Sequence, residues 1–168
     1  MHEVLARYFQ SLPGWIIEPE VSFSIYGERG IIDILAWHPT SRILLVIELK
    51  TEIVDVNEML GALDRKRRLA ATIAAERKLN PVAIATWVVV ADSRTNRRVV
   101  ADHATVLRAK LPSDGRRLRG WLRQPRGRLD GLSFLPPVQG THVGVDPAPV
   151  RRVVRRRLAR KQPESSVG

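Results

Sequence analysis

The sequence predicts an α/β domain with a mixed central sheet of about four strands flanked by helices. Two observations lead to this fold class. Three apolar stretches between residues 21 and 49 follow one another with only short turns between them, which is typical of an antiparallel meander. A helical pattern then separates the third stretch from a fourth, and a helix between two strands favours a crossover connection. The predicted element order of the core is α-β-β-β-α-β.

The first half of the chain supplies one helix and three strands. Residues 4–12 repeat apolar side chains at helical spacing. Residues 21–25 alternate apolar and polar side chains, as a strand does, and residues 26–30 form a turn with glycine near both ends. Two further strands are predicted over 31–37 and 43–49.

The second half begins with a long helix. Asp55 and Glu58 have the spacing of a capping box, and the helical pattern continues until Pro81 stops it. A buried strand is predicted over 83–92, followed by a helix over 93–111.

The pattern weakens after Pro112, where short edge strands are predicted around 120–123 and 131–135. We expect one domain over 1–135, followed by a Pro/Gly linker and a basic, disordered tail over 136–168.

Composition narrows the class of protein. The chain of 168 residues has no cysteine, which removes disulfide frameworks and thiolate metal sites. It has no apolar run near the roughly 20 residues that a membrane helix needs. The N-terminus lacks the pattern of a signal peptide. A cytoplasmic protein without a membrane partner is therefore expected.

The charge is divided unevenly along the chain. Residues 1–64 hold four Lys/Arg against ten Asp/Glu, a net charge of −6, whereas residues 65–168 hold 24 against 7, a net charge of +17, and the two sum to +11. Such a division of charge is expected of a protein in which an acidic centre binds cations and a neighbouring basic surface binds a polyanion. The alternative is an arginine-rich codon composition.

Three charged residues interrupt the apolar strands between residues 30 and 50. Glu48 and Lys50 are two apart, so they share one face of their strand, and Asp33 lies on the preceding strand. A hairpin turn after His38 brings Asp33 to the level of residues 46–48. Two carboxylates are suitable ligands for Mg²⁺ or Mn²⁺, and a nearby lysine can orient a water molecule or stabilise a charged transition state.

This pattern of Asp33, then Glu48-Leu49-Lys50 on the next strand, resembles the PD-(D/E)xK nuclease superfamily. Ile32 stands where many members have proline. The resemblance covers residues 1 to about 110 and implies a restriction-endonuclease-like fold. It also implies magnesium-dependent hydrolysis of DNA phosphodiester bonds, with Asp33 and Glu48 as metal ligands and Lys50 as the catalytic lysine. Many members act as dimers, so a homodimer is an expectation of the same kind.

Two accessory residues follow from the resemblance. Glu3 is the candidate for a first-helix glutamate, and Asn57 or Lys66 for a polar residue on the helix after the lysine. Asn57 and Lys66 fall on opposite sides of that helix, so at most one can face the site.

Several basic residues are candidates for DNA phosphate contacts. They are Arg65, Lys66, Arg67, Arg68, Arg97 and Arg98, with further clusters at 116–119 and 151–161. For each of them, the alternative is that the basic side chains lie on a helix face exposed to solvent and bind no phosphate.

Other functions stay open from the sequence. The text "YGERG…D…AWHP…E-x-K" is also similar to C-terminal domains of actinobacterial helix-turn-helix regulators, so a catalytically inactive DNA-binding or regulatory module is the main alternative. An oligomerising scaffold is a third, with no positive feature behind it.

Overall fold

The computed structural model of the protein describes residues 1–135, in which five strands form one mixed sheet in the order β1–β2–β3–β4–β5. The strands are β1 (Ile16–Ile25), β2 (Glu28–His38), β3 (Ile43–Lys50), β4 (Ala83–Ala91) and β5 (Asp130–Leu135). The helices are α1 (His2–Gln10), α2 (Val56–Glu76), α3 (Arg94–Asp102), α4 (Ala104–Lys110) and α5 (Gly115–Arg123). The predicted α/β class with a mixed sheet is confirmed. The predicted linker and tail over 136–168 lie outside the described residues.

The first three strands form the predicted antiparallel meander. The turn between β1 and β2 consists of Tyr26 and Gly27, whose φ angles are 51° and 80°. Two consecutive residues with positive φ make the hairpin turn whose twist matches that of the strands. Gly27 adopts a positive φ without steric cost, and Tyr26 adopts it with its side chain exposed to solvent.

Helix α2 makes the crossover from β3 to β4, which are parallel. Asp55 caps the helix, because its carboxylate accepts hydrogen bonds from the backbone N–H groups of Asn57 (2.7 Å) and Glu58 (3.0 Å). The helix ends at Glu76, before Pro81. β4 follows, and β5 pairs with β4 in the parallel direction at the edge of the sheet.

The sheet is covered on both faces. Helices α1 and α5 cover one face, where Leu5, Phe9, Leu118 and Leu122 pack on β2, β3 and β4. Helix α2 covers the other face. The C-terminal half of α2 packs against β1 and β2, and its N-terminal half packs against β4 together with α4. Burial of these apolar side chains is the main source of stability for the sheet.

Three local predictions differ from the structure. The sheet has five strands rather than about four; the fifth is the edge strand predicted around 131–135, which pairs with residues 86–91 of β4. Residues 120–123 are not an edge strand but belong to α5, which Asp114 caps and whose Leu118 and Leu122 are buried four residues apart. The helix predicted over 93–111 is divided at His103 into α3 and α4.

Among the described helices, none is both long enough and apolar enough to cross a membrane.

Candidate functional site

Asp33 lies where β2 separates from β3. The two strands pair as far as Ile34 opposite Ile47, so the next facing positions are Asp33 and Glu48. Ile32 packs on the α2 face of the sheet, whereas Ile34 packs on the opposite face, so the normal alternation of the strand is reversed at Asp33. The last residues of β3 therefore have no β2 backbone beside them.

The Asp33 side chain replaces the missing backbone partner. Its Oδ2 accepts a hydrogen bond of 2.6 Å from the backbone N–H of Leu49. The other oxygen, Oδ1, has no hydrogen-bond partner among the described residues. One oxygen of the carboxylate thus holds the backbone of β3, whereas the other makes no such contact.

Glu48 is a buried carboxylate held by two ammonium groups. Its side chain is only 4% exposed, its Oε1 lies 2.9 Å from Nζ of Lys50, and its Oε2 accepts a hydrogen bond from Nζ of Lys66. The predicted proximity of Glu48 and Lys50 is confirmed by this contact. Asp33, Glu48, Lys50 and Lys66 together form the carboxylate–lysine cluster.

The fold explains why Lys66 joins this cluster. On α2, Lys66 lies between the buried residues Leu63 and Leu69, which belong to two different apolar clusters. It therefore points at the sheet where these two clusters meet, and Glu48 is its counterion there. A charge can be buried in such a position only with a partner of opposite sign, and the two lysines and Glu48 satisfy this requirement.

Electrostatic coupling joins Asp33 to the other three residues. Burial raises the pKa of Asp33 above its ordinary value, and the nearby charge of Glu48 raises it further. The hydrogen bond from Leu49 and the charges of Lys66 and Lys50 oppose this rise in pKa.

The cluster contains two carboxylates of the kind that bind divalent cations. Asp33 and Glu48 are the hard oxygen donors that Mg²⁺ and Mn²⁺ prefer. Within residues 1–135, no group of three or more histidine, cysteine or acidic side chains is close enough to hold a metal. Two carboxylates fit an ion that completes its shell with water and substrate oxygens. The two carboxylates and two ammonium groups also balance one another without an added ion.

The predicted accessory residues lie elsewhere. Glu3 is 86% exposed and pairs with Arg7 at 3.1 Å, on a helix that packs against the opposite face of the sheet. Asn57 is exposed in the first turn of α2. Lys66 is the residue of α2 that faces the site, in agreement with the expectation that only one of the two can do so.

The structure separates the predicted phosphate-contacting residues into different groups. Lys66 is buried in the cluster and does not face solvent, which corrects its grouping with the surface arginines. Arg65 is exposed and has no ion-pair partner among the described residues. The remaining four arginines have acidic neighbours: Arg67 with Asp130 at 4.0 Å, Arg68 with Glu28 at 2.8 Å, Arg97 with Asp92 at 2.6 Å and Arg98 with Asp102 at 3.6 Å.

Asn96 is a supporting residue that sequence reasoning missed. It is fully buried on α3, and its Nδ2 donates hydrogen bonds of 2.9 Å to the carbonyls of Thr51 and Ala91. Its Oδ1 accepts a hydrogen bond of 3.0 Å from the N–H of Ile53. Asn96 thereby fixes the loop that follows Lys50 to the end of β4. A single asparagine within a helical pattern gives no signal of this role.

No protein-family model, no curated protein and no solved structure matches this chain.

Proposed function

We propose that the protein is a metal-dependent nuclease of the restriction-endonuclease-like type, which hydrolyses phosphodiester bonds in DNA. The proposal rests on one observation. Asp33, Glu48 and Lys50, which the Asp…Glu-x-Lys pattern singles out, lie together at the end of β3 with an additional buried lysine, Lys66.

Each residue of the cluster has a distinct role in this proposal. Asp33, through the Oδ1 that makes no protein hydrogen bond in the described residues, and Glu48 would hold Mg²⁺ or Mn²⁺. The bound ion would lower the pKa of a water molecule and offset the charge that develops on the phosphate oxygens.

Lys50 is 30% exposed, and Lys66 only 9%. Lys50 is therefore the ammonium group that can turn from Glu48 toward a phosphate oxygen or the attacking water. Lys66 stays with Glu48 and fixes the position of its carboxylate.

Plasmid cleavage tests the proposal. The full chain is incubated with supercoiled plasmid in Mg²⁺, in Mn²⁺ or in EDTA, and nicked and linear products are measured. We expect cutting that requires the metal and that falls by roughly 100-fold or more in Asp33→Ala and in Lys50→Ala, because each removes a group that acts in the transition state.

A surface ion pair provides the matched control. Asp64 and Lys110 lie 2.7 Å apart and are each about half exposed. The variants Asp64→Ala and Lys110→Ala remove the same two residue types and should cut like the wild type. Equal losses in both sets of variants would show that the cleavage does not come from the cluster.

A non-catalytic DNA-binding module is the second candidate. The observation that favours it is the internal charge balance of the cluster, in which Glu48 is neutralised by two lysines without any metal. This candidate predicts that wild-type protein binds DNA with a steep salt dependence but cuts none in either metal. It also predicts that Mn²⁺, followed by water proton relaxation, does not bind more tightly to wild type than to Asp33→Ala.

A further inference from the structure

A cleft of about 1200 Å³ lies at the β5 edge of the sheet, apart from the carboxylate–lysine cluster. Its apolar floor consists of Leu107, Leu111, Leu132 and Phe134. Five arginines line it: Arg97, Arg108, Arg116, Arg117 and Arg119. We refer to this feature as the arginine cleft.

The positive charge of the arginine cleft is not balanced within the described part of the chain. Arg97 pairs with Asp92, but the other four are exposed and have no carboxylate within ion-pair distance there. Asp114, the acidic residue that lines the cleft, is engaged as the cap of α5, because it accepts a hydrogen bond of 2.9 Å from the backbone N–H of Arg117. Residues 103–129 contain eight Lys/Arg against this one aspartate, a net charge of +7.

We propose that the arginine cleft binds a short single-stranded segment of nucleic acid. Arginine forms paired hydrogen bonds with phosphate oxygens, and unpaired arginines on two neighbouring helices can follow successive phosphates. Leu107 and Leu111 are almost fully buried, so the apolar surface that bases can contact is that of Leu132 and Phe134. The guanidinium of Arg97 lies 4.7 Å from the centre of the Phe134 ring, and a base can stack on this pair. Pockets for drug-sized ligands have volumes of roughly 300–1,000 Å³, so a cleft of about 1200 Å³ has room for a few nucleotides.

The strand register relates the cleft to the carboxylate–lysine cluster. Glu48 aligns with Val88 and Val88 with Leu132, while Lys50 aligns with Val90 and Val90 with Phe134. The floor residues Leu132 and Phe134 therefore lie at the same level of the sheet as Glu48 and Lys50. They are two strands away, roughly 10 Å at the usual strand spacing. The inference takes the nucleic-acid partner from the proposed function, but it does not require a working metal site.

Fluorescence anisotropy with a labelled 12-nucleotide oligothymidine tests this inference in EDTA, where metal-dependent cutting cannot occur. The full-length variant Arg116→Gln/Arg117→Gln/Arg119→Gln removes three exposed charges from the cleft, and glutamine retains a helix propensity close to that of arginine. The matched control Arg7→Gln/Arg29→Gln/Lys78→Gln removes three exposed charges from parts of the chain that do not line the cleft. Both variants have the same net charge and the same basic C-terminal segment.

We expect the cleft variant to bind the oligonucleotide roughly 10- to 100-fold more weakly than the wild type at 0.1 M salt. Its plot of log affinity against log salt should also be shallower by about 2, since three phosphate contacts are lost. The control should lose much less affinity. Equal losses in both variants would overturn the inference, because net charge alone would then explain the binding.

Competition identifies the partner class. A poly-glutamate peptide that displaces the oligonucleotide at equal charge concentration would assign the cleft to an acidic protein surface instead. A blunt duplex that depends on the three arginines as strongly as the single strand does would overturn the preference for single strands. A protein that shows the expected binding in EDTA but cuts no plasmid would retain the arginine cleft while refuting the nuclease proposal.

Discussion

Two carboxylates lie on the same face of the sheet, a few residues apart in register, and they are held in different ways. Asp130 accepts hydrogen bonds from the backbone N–H (3.1 Å) and the hydroxyl (2.7 Å) of Thr86, and Arg128 donates to its other oxygen at 2.6 Å. Glu48, in contrast, has only the flexible ammonium groups of Lys50 and Lys66 as partners in the described structure.

The kind of donor indicates what each carboxylate can do. Asp130 is enclosed by neutral donors of fixed direction and by planar arginine, so it links β4 to β5 and has little freedom to accept a ligand. Lysine is a point charge on a flexible stem, and Lys50 is partly exposed. The proposed exchange of an ammonium group for a metal ion thus requires only a side-chain movement at Glu48, whereas at Asp130 it would break the contacts that join β4 to β5.

The largest expected effect on stability comes from removal of the Glu48 charge. Glu48→Gln leaves the Lys66 ammonium group buried without a counterion, and this typically costs about 3–5 kcal/mol of unfolding free energy. Urea unfolding of the wild type and the variant measures the difference. A loss below about 1 kcal/mol would mean that water reaches Lys66, and the cluster would then be a surface feature.

A double variant separates the charge from the packing. Glu48→Leu/Lys66→Met replaces the buried pair by apolar side chains, and such replacements are often neutral or stabilising. We expect it to be more stable than Glu48→Gln and to lack all metal-dependent cutting. A double variant as unstable as the single one would show that the pair has a structural role that apolar packing cannot replace.

A smaller effect is expected at Asp130, and on stability alone. Asp130→Asn keeps an oxygen for Thr86 but loses the charge that pairs with Arg128 and Arg67. Hydrogen bonds to charged groups contribute roughly 1.5–3 kcal/mol, so a loss of about 2 kcal/mol is expected in urea unfolding. Plasmid cutting at a temperature where the variant is folded should be unchanged. A selective loss of cutting would make Asp130 part of the active site and remove the contrast with Glu48.

The sequence predicted the part of the site that depends on strand pairing. Asp33, Glu48 and Lys50 lie in one hairpin, and its short turn brings Asp33 level with Glu48, although the alternation of β2 breaks at Asp33. Lys66 was recognised only as one of two alternatives on its helix. Its role depends on the rotation of α2 over the sheet, and that rotation is set by the apolar contacts of Leu63 and Leu69 rather than by any motif.

Long-range pairing accounts for what the sequence did not predict. β5 adds to β4 across an interval of about 40 residues, and no local pattern specifies that neighbour. Helix α5 contains four arginines and two glycines among its nine residues, so its composition gave no helical signal from the buried pair Leu118 and Leu122. Asn96 binds backbone groups of two separate segments, the loop after β3 and the end of β4, which become adjacent only in the folded chain.

The smallest expected effect on stability comes from Asp33→Asn. A gain in the free energy of unfolding would indicate a carboxylate that serves function, and a loss would indicate one that serves structure. Burial and the charge of Glu48 raise the pKa of Asp33, so the folded state binds a proton more tightly than the unfolded state. The stability that this proton contributes is present below the ordinary pKa of about 4 and is lost as the pH rises through the raised pKa. Asparagine keeps an oxygen for the Leu49 N–H and carries no charge, so the variant should be more stable than the wild type at pH 7, by on the order of 0.5 kcal/mol.

Urea unfolding should show that this advantage shrinks near pH 4, while cutting is lost at neutral pH. A variant that is less stable than the wild type by the same amount at both pH values would indicate that Asp33 serves only to hold the end of β3.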